Sequence, residues 1–242
     1  MELMQHIPDK SVDMILCDLP YGTTACEWDK VLPLDELWKQ YKRILKKDGV
    51  IVLTASQPFT TDLINSNRDW FRYCWVWYKS KPSGIAFKNQ PMRTHEDVLV
   101  FAKNKTTFNK IMEERVGFTE SSKKRFESGK NYGSYRNHKN ETYNLQKTEL
   151  KPILKLRNPT TILKFASVPN RLGTLHPTQK PVALFEYLIK TYTNEGDLVL
   201  DNCAGSGTTG VACKNLKRNF ILMELGEEYC KIARTRLSQE VL

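Results

Sequence analysis

Apolar and polar positions run along this chain in short blocks whose period switches between strand and helix. Val12–Asp18 (VDMILCD) is an apolar run closed by an acid and reads as a buried strand. Leu34, Leu37, Trp38, Tyr41, Ile44 and Leu45 fall on one face of a helix over 34–45. Asp48-Gly49 is expected to stop that helix, and Val50–Leu53 reads as a second strand. A short helix over 60–67 and strands over 71–78 and 97–102 come next. After residue 160 the pattern resumes. It predicts a helix over 181–192 with Pro181 in its first turn, a strand over 197–201 and a helix over 208–216. A strand over 220–224 and a helix over 227–237 close the chain. Such alternation predicts an α/β fold, a doubly wound, mostly parallel sheet with helices on both faces.

The stretch between the two patterned parts changes the picture through its charge. Residues 103–160 hold 14 Lys or Arg against 6 Asp or Glu, so +8 of the formal net +10 lies there. Aromatic rings (Phe108, Phe118, Phe126, Tyr132, Tyr135, Tyr143) are interleaved with the basic residues, which a solvated linker has no use for. The expected organisation is one core in two halves, 1–103 and 161–242, with a basic insertion at 104–160. An excess of this size points to a polyanion such as nucleic acid.

The remaining composition excludes several classes. With 40% hydrophobic and 26% charged residues the chain reads as a folded globular protein. It has no apolar run of about 18 residues, so no membrane span or membrane partner is expected. The N-terminus lacks the basic-then-apolar order of a secretory signal. The six cysteines form no C-x-x-C pair and read as reduced thiols of a cytoplasmic protein. The four histidines do not join them at ligand spacing, so no metal site is expected.

Three predicted strands end in an acid: Asp18, Asp201 and Glu224. Ligands of open α/β sheets bind beyond the carboxyl ends of the strands. Asp201 opens DNCAGSGTTG, a strand, glycine loop and helix in succession. Gly205, Gly207 and Gly210 match G-x-G-x-x-G, with Glu224 about 20 residues on, which is also the spacing of a dinucleotide site. Against that reading, Asp201 at the mouth of the loop would repel a pyrophosphate, and the loop is not a P-loop either, because no Lys follows the glycines to hold a β/γ-phosphate. A cationic or neutral nucleoside suits the loop better, with Glu224 accepting from ribose hydroxyls. At the first acid, Pro20 restricts Leu19 to an extended conformation. The Asp18 carboxylate and Leu19 carbonyl then become two fixed acceptors beside the Tyr21 ring, a grip for the exocyclic amine of a flat base.

These residues resemble the S-adenosylmethionine-dependent amino methyltransferases of DNA. Asp18-Leu19-Pro20-Tyr21 looks like the family's D-P-P-Y motif, with Leu for the first Pro. Residues 201–209 look like its D-x-F-x-G-S-G-T-T cofactor loop, with Cys203 where Phe is usual. His176-Pro177-Thr178-Gln179-Lys180-Pro181 matches H-P-T-Q-K-P, which in the family precedes a helix at the cofactor's methionine end. Residues 49–53 and 93–99 also look like family segments. The order of catalytic motif, insertion and cofactor loop resembles the permuted beta class, in which the insertion recognises the target.

The resemblance implies a Rossmann-like core and methyl transfer from S-adenosylmethionine to the N6 amine of a flipped adenine in double-stranded DNA. It assigns catalysis to Asp18, Leu19, Pro20 and Tyr21. It assigns the cofactor to Asp201, Cys203, Ala204, Gly205, Ser206, Gly207, Thr208, Thr209 and Glu224, with His176, Thr178, Gln179, Lys180 and Pro181 at the methionine end. DNA contacts are expected from Lys123, Lys124, Arg125, Arg136 and Arg157. Asp at the head of the motif favours adenine. An N4-cytosine methyltransferase and an inactive DNA-binding relative are the alternatives. A cognate restriction endonuclease and a homodimer are further partners to expect.

Overall fold

Period-two alternation divides the strand side chains between the two faces of one sheet. The computed structural model describes residues 2–24, 26, 29–83, 91–114, 124, 156–168 and 179–238. A 3-10 turn (Glu2–His6) leads into β1 (Val12–Asp18), α1 (Leu34–Ile44), β2 (Leu45–Ala55), α2 (Phe59–Ser66), β3 (Phe71–Ser83) and β4 (Arg93–Phe101). Short strands β5 (Glu113–Glu114), β6 (Leu156–Arg157) and β7 (Ile162–Lys164) come next. The chain continues with α3 (Val182–Tyr192), β8 (Leu198–Asp201), α4 (Thr208–Asn215), β9 (Asn219–Leu222) and α5 (Glu227–Ser238).

Seven of these strands form one sheet in the order β7-β3-β4-β2-β1-β8-β9. β1 is parallel to both β2 and β8, β8 to β9, and β3 to β7, while β4 runs antiparallel between β2 and β3. The mostly parallel sheet matches the sequence expectation. The strand order reverses between β1 and β8, and such a switch point opens a crevice beyond the strand ends. Asp18 and Asp201 are the last residues of those two strands.

Helices cover both faces. Ile15, Cys17, Ile51, Leu53, Leu99 and Phe101 pack with Leu37, Trp38 and Tyr41 of α1 and Phe59 and Leu63 of α2. Their neighbours Met14, Leu16, Val50, Val52, Val98 and Val100, with Trp75 and Trp77, pack with Leu184, Phe185, Leu188 and Ile189 of α3 and with Ala212 and Cys213 of α4. Carrying each row of the second face on by two residues gives Asp18, Thr54, Glu96 and Lys79. The α3 face of the sheet therefore ends in a polar row.

Several boundaries differ from expectation. Asp48-Gly49 does not stop α1: the helix passes directly into β2 at Leu45, whose N–H bonds the Tyr41 carbonyl. Asp48 and Gly49 lie inside β2, where the register with β1 jumps from Val12↔Leu45 to Met14↔Val50. Pro181 stands just ahead of α3, and Glu224 lies two residues beyond β9. The chain divides into two compact units, Met1–Asn109 with Thr161–Leu242, and Lys110–Thr160. Residues 104–109 thus belong to the core unit. Asn104 donates to the Lys47 carbonyl at 2.8 Å, and Asn109 to the Thr193 carbonyl behind α3 at 2.9 Å. In the second unit β5 and β6 form an antiparallel ribbon. Among the described residues no helix is long and apolar enough to cross a membrane.

The bulge in β2 generates a stability prediction. A Cβ at Gly49 would meet Leu45 Cγ at 2.8 Å and the Asp13 carbonyl oxygen at 2.9 Å. Gly49→Ala should therefore lower stability by about 1–3 kcal/mol, as overpacking does. Urea unfolding measures it, and an unchanged midpoint would show that Leu45 and the Asp13 strand give way freely.

Candidate active site

β1 ends at Asp18, in register with Thr54 of β2. Both lie on the α3 face, and the Thr54 hydroxyl donates to Asp18 Oδ1. The Tyr21 hydroxyl donates to the same oxygen at 2.9 Å. Lys180 Nζ, from the segment leading into α3, donates to Oδ2 at 2.6 Å. The same ammonium lies 3.5 Å from Glu96 Oε2, and Lys79 pairs with Glu96 Oε1. The Lys180 and Lys79 side chains are only 8% and 7% exposed. Burial alone would lower the Lys180 pKa, but Asp18 and Glu96 outweigh it and raise it, so the ammonium is charged.

Tyr21 is held on two sides. Its ring stacks on Phe59 at 5.5 Å and 24°, and the Lys180 ammonium lies 5.6 Å from its centroid. Burial, then the Asp18 and Glu96 carboxylates, push its phenol well above the usual value, so it acts as a donor. Leu19 is buried in the core. The turn beyond Tyr21 is fixed by Asp29, which accepts the N–H groups of Gly22, Thr23 and Thr24 at 2.9, 2.9 and 2.6 Å.

The glycine loop departs from expectation in the direction its side chains take. The sequence pattern puts Asp201 at the loop mouth, but the residue is 3% exposed. Its Oδ1 accepts the Cys203 N–H at 3.1 Å and its Oδ2 the Thr209 hydroxyl. It is a buried brace, placed there because its loop needs an internal acceptor. Burial pushes its pKa up to about 6, against the opposing pull of those hydrogen bonds. Ser206 accepts from Arg236 Nη1 at its carbonyl (2.7 Å) and its hydroxyl (2.9 Å). The Thr208 hydroxyl faces the Lys180 carbonyl at 3.5 Å. Of residues 201–209 only Asn202, Cys203 and Gly205 keep appreciable surface.

Beside this surface stands Glu224. Its Oε2 accepts the Gly205 N–H at 2.8 Å and its Oε1 the Gly226 N–H at 2.9 Å. Each oxygen keeps a lone pair for an outside hydroxyl. Leu225 is 98% exposed next to it, an apolar face for a planar ring. Gly205 (φ +50°) and Gly207 (φ +79°) take the left-handed conformation, and a Cβ at Gly207 would come within 2.9 Å of Ala233 Cβ. A bare backbone, a carboxylate with spare acceptor capacity and an exposed leucine fit an adenosine-bearing cofactor.

The structure thus gathers Asp18, Tyr21 and Lys180 at the end of β1 and places the 201–209 loop with Glu224 after the neighbouring β8. The family resemblance assigns Lys180 to the cofactor's methionine end, yet its ammonium sits on Asp18. Gln179 is half-buried. His176, Thr178, Lys123, Arg125 and Arg136 lie outside the described residues. Lys124 is exposed, and Arg157 is engaged by Glu113 at 3.0 Å within the β5–β6 ribbon. Sequence reasoning missed Thr54, Glu96 and Lys79, although strand parity pointed to them. It also missed Tyr41, whose hydroxyl bonds Asn202 Oδ1 under the loop at 2.5 Å. Leu225, Asp29 and Arg236 carried no distinguishing signal.

A family model described as DNA methylase matches residues 12–235. The chain belongs to this family. This methylase is 31% identical to the DNA adenine methyltransferase YhdJ of Escherichia coli (strain K12), over 97% of this chain and 79% of that one. It is 29% identical to the Type II methyltransferase M.HpaI of Haemophilus parainfluenzae, over 98% and 71%. The crystal structure of the M1.HpyAVI-SAM complex matches with a TM-score of 0.61 and 29% identity, covering 94% of this chain and 90% of that one. The cytosine-N4-specific PvuII DNA methyltransferase matches with a TM-score of 0.63 over 100% of this chain and 84% of its own, but at 17% identity the likeness is one of fold alone. The cofactor of this methylase is S-adenosylmethionine.

Asp201 makes its stability pH-dependent. A folded pKa of about 6 lies above the ordinary 3.8, so the folded state holds the proton more tightly than the unfolded chain does. That contribution is fully present below pH 3.8 and is lost as pH rises through about 6. Asp201→Asn lacks this titration. The stability difference between wild type and variant should therefore change by about 3 kcal/mol across that window, at about 1.4 kcal/mol per pKa unit. Urea unfolding at the two ends of the window tests it, and a constant difference would refute it.

Proposed function

We propose that this methylase transfers a methyl group to the N6 amine of an adenine flipped out of duplex DNA. The observation that carries the reading is the Asp18 carboxylate, held at the carboxyl end of β1 across the switch point from the glycine loop after β8. Cys203–Gly205, Glu224 and Leu225 would hold S-adenosylmethionine, Glu224 by its ribose and Leu225 by its adenine, and the group would supply a methyl already activated on a sulfonium. Oδ2 of Asp18 and the Leu19 carbonyl accept the two N–H groups of the target amine. That favours a pyramidal nitrogen with an available lone pair. Rate then comes from alignment and fixed charge. An amine inside a duplex is out of reach, so the base is flipped. The Tyr21 ring, stacked on Phe59 and with the Lys180 ammonium over it, stands beside the Asp18 carboxylate. Asp at the head of the motif and the adenine-specific name of YhdJ support adenine over cytosine.

The insertion is the DNA-reading part of this proposal. Its excess of Lys and Arg suits phosphates, which set position, while other side chains reach base edges. Arg157 acts in the ribbon through Glu113 rather than as a free base contact. The Type II names among the relatives support a cognate restriction endonuclease. The DNA substrate and free cysteines support a cytoplasmic enzyme.

Two measurements test the reading. Asp18→Ala should abolish transfer from labelled S-adenosylmethionine to unmethylated plasmid DNA while leaving cofactor affinity nearly intact. Near wild-type transfer would remove Asp18 from the chemistry, and N4-methylcytosine as the product nucleoside would move the target to cytosine. Neutralising Lys123, Lys124 and Arg125 together should lower the slope of log affinity against log salt by roughly 2 to 3, at about 0.9 per phosphate contact. An unchanged slope would sink the recognition role of that segment.

A further inference from the structure

The Asp18 carboxylate has about four acceptor positions on its two oxygens. The Tyr21 and Thr54 hydroxyls take those of Oδ1, and Lys180 takes one of Oδ2. One position on Oδ2 is left for an amine, directly beside the Lys180 ammonium. Glu96 Oε2 is buried and without a hydrogen-bond partner. Lys180 Nζ stands 3.5 Å from it, an ion-pair distance too long for a good hydrogen bond. The ammonium therefore has one occupied carboxylate seat and one open seat, both on the α3 face of the sheet. Lysine suits such sharing, because its charge is compact and its three donors rotate.

We propose that Lys180 is a positioning residue for methyl transfer, shared between Asp18 and Glu96. It fixes the Asp18 carboxylate toward the target amine, and it shifts toward Glu96 Oε2 as the amine takes its place on Oδ2. Without the ammonium, Glu96 keeps Lys79, but nothing holds Asp18 Oδ2 in place, and the carboxylate is free to turn away from the amine. This inference rests on Asp18 meeting the target amine, as proposed above.

The test is single-turnover transfer from saturating S-adenosylmethionine to unmethylated plasmid DNA, read beside cofactor affinity by calorimetry and the thermal midpoint. Lys180→Met should slow transfer about 100-fold, the scale of a misplaced catalytic group, with cofactor affinity little changed. Its midpoint should fall, because two carboxylates are left to one ammonium, that of Lys79. Lys180→Met with Glu96→Gln removes that surplus negative charge, so the midpoint should recover while transfer stays slow. Glu96→Gln alone should slow transfer by withdrawing the second seat, and a wild-type rate there would overturn the sharing. Recovery of both midpoint and rate in the double variant would make Lys180 merely structural. Weakened cofactor binding with a wild-type rate at saturation would make it a cofactor residue. Either result overturns the proposal. Asp18→Ala run alongside separates the two readings: an active Asp18→Ala refutes the role of Asp18 itself, whereas an inactive one beside an active Lys180→Met refutes only the positioning role.

Discussion

Charges removed from water persist only as a neutralised set, and in this fold that requirement is met at the end of one sheet face. Asp18, Lys180, Glu96 and Lys79 alternate in sign and come from β1, the segment before α3, β4 and β3. Removing Lys180 would leave the Asp18 carboxylate without its cation, which is costlier than never having had the pair. Distant parts of the chain are thereby held in a common frame. The apolar rows of the same face contribute stability by packing on α3 and α4. The polar row spends some of it on placing a carboxylate at the mouth of the crevice.

The glycine loop uses the opposite arrangement. There the polar side chains of Asp201, Asn202 and Ser206 turn to partners beneath the loop. Asp201 braces Cys203 and Thr209, Arg236 of α5 grips Ser206, and Tyr41 of α1 bonds Asn202. Asn202, Cys203 and Gly205 carry what surface the loop keeps, and its shape is set by the partners beneath it. This accounts for the tolerance of Cys203 where the family usually has Phe. The side chain there is half-buried against the α1-side core, and Cys17 lies beneath it as part of that core.

Much of this was legible in the chain itself. Strand periods located β1, β2, β4 and β8, with Asp18 and Asp201 closing β1 and β8. The direction of an acid was not legible. Asp18 and Asp201 end neighbouring strands in the same way, yet one opens to the crevice and the other is an internal brace. The difference lies in where each acid finds its partner. Thr209 returns from the first turn of α4 to meet Asp201, whereas Lys180 reaches Asp18 from 162 residues away. A local pattern can reveal the first kind of partner and not the second. Asp48-Gly49 misled for a related reason. The pair has the composition of a stop, but here it serves a bulge that lets β2 begin without a turn.

The substitution of Leu19 for the family's proline is also explained by packing. Proline would fix φ and remove a donor. Here Leu19 is anchored by burial in the α1-side core, while Asp29 fixes the turn on the other side of Tyr21 through three N–H groups. Conformational restriction that the family takes from a ring is taken here from hydrophobic burial on one flank and a carboxylate on the other. Lys180 completes the frame, since its carbonyl faces Thr208 of α4 while its ammonium holds Asp18. One residue thus touches both the helix after the cofactor loop and the carboxylate assigned to the amine. Methyl donor and acceptor must meet in line, and Lys180 links the two elements proposed to hold them, its carbonyl at one and its ammonium at the other.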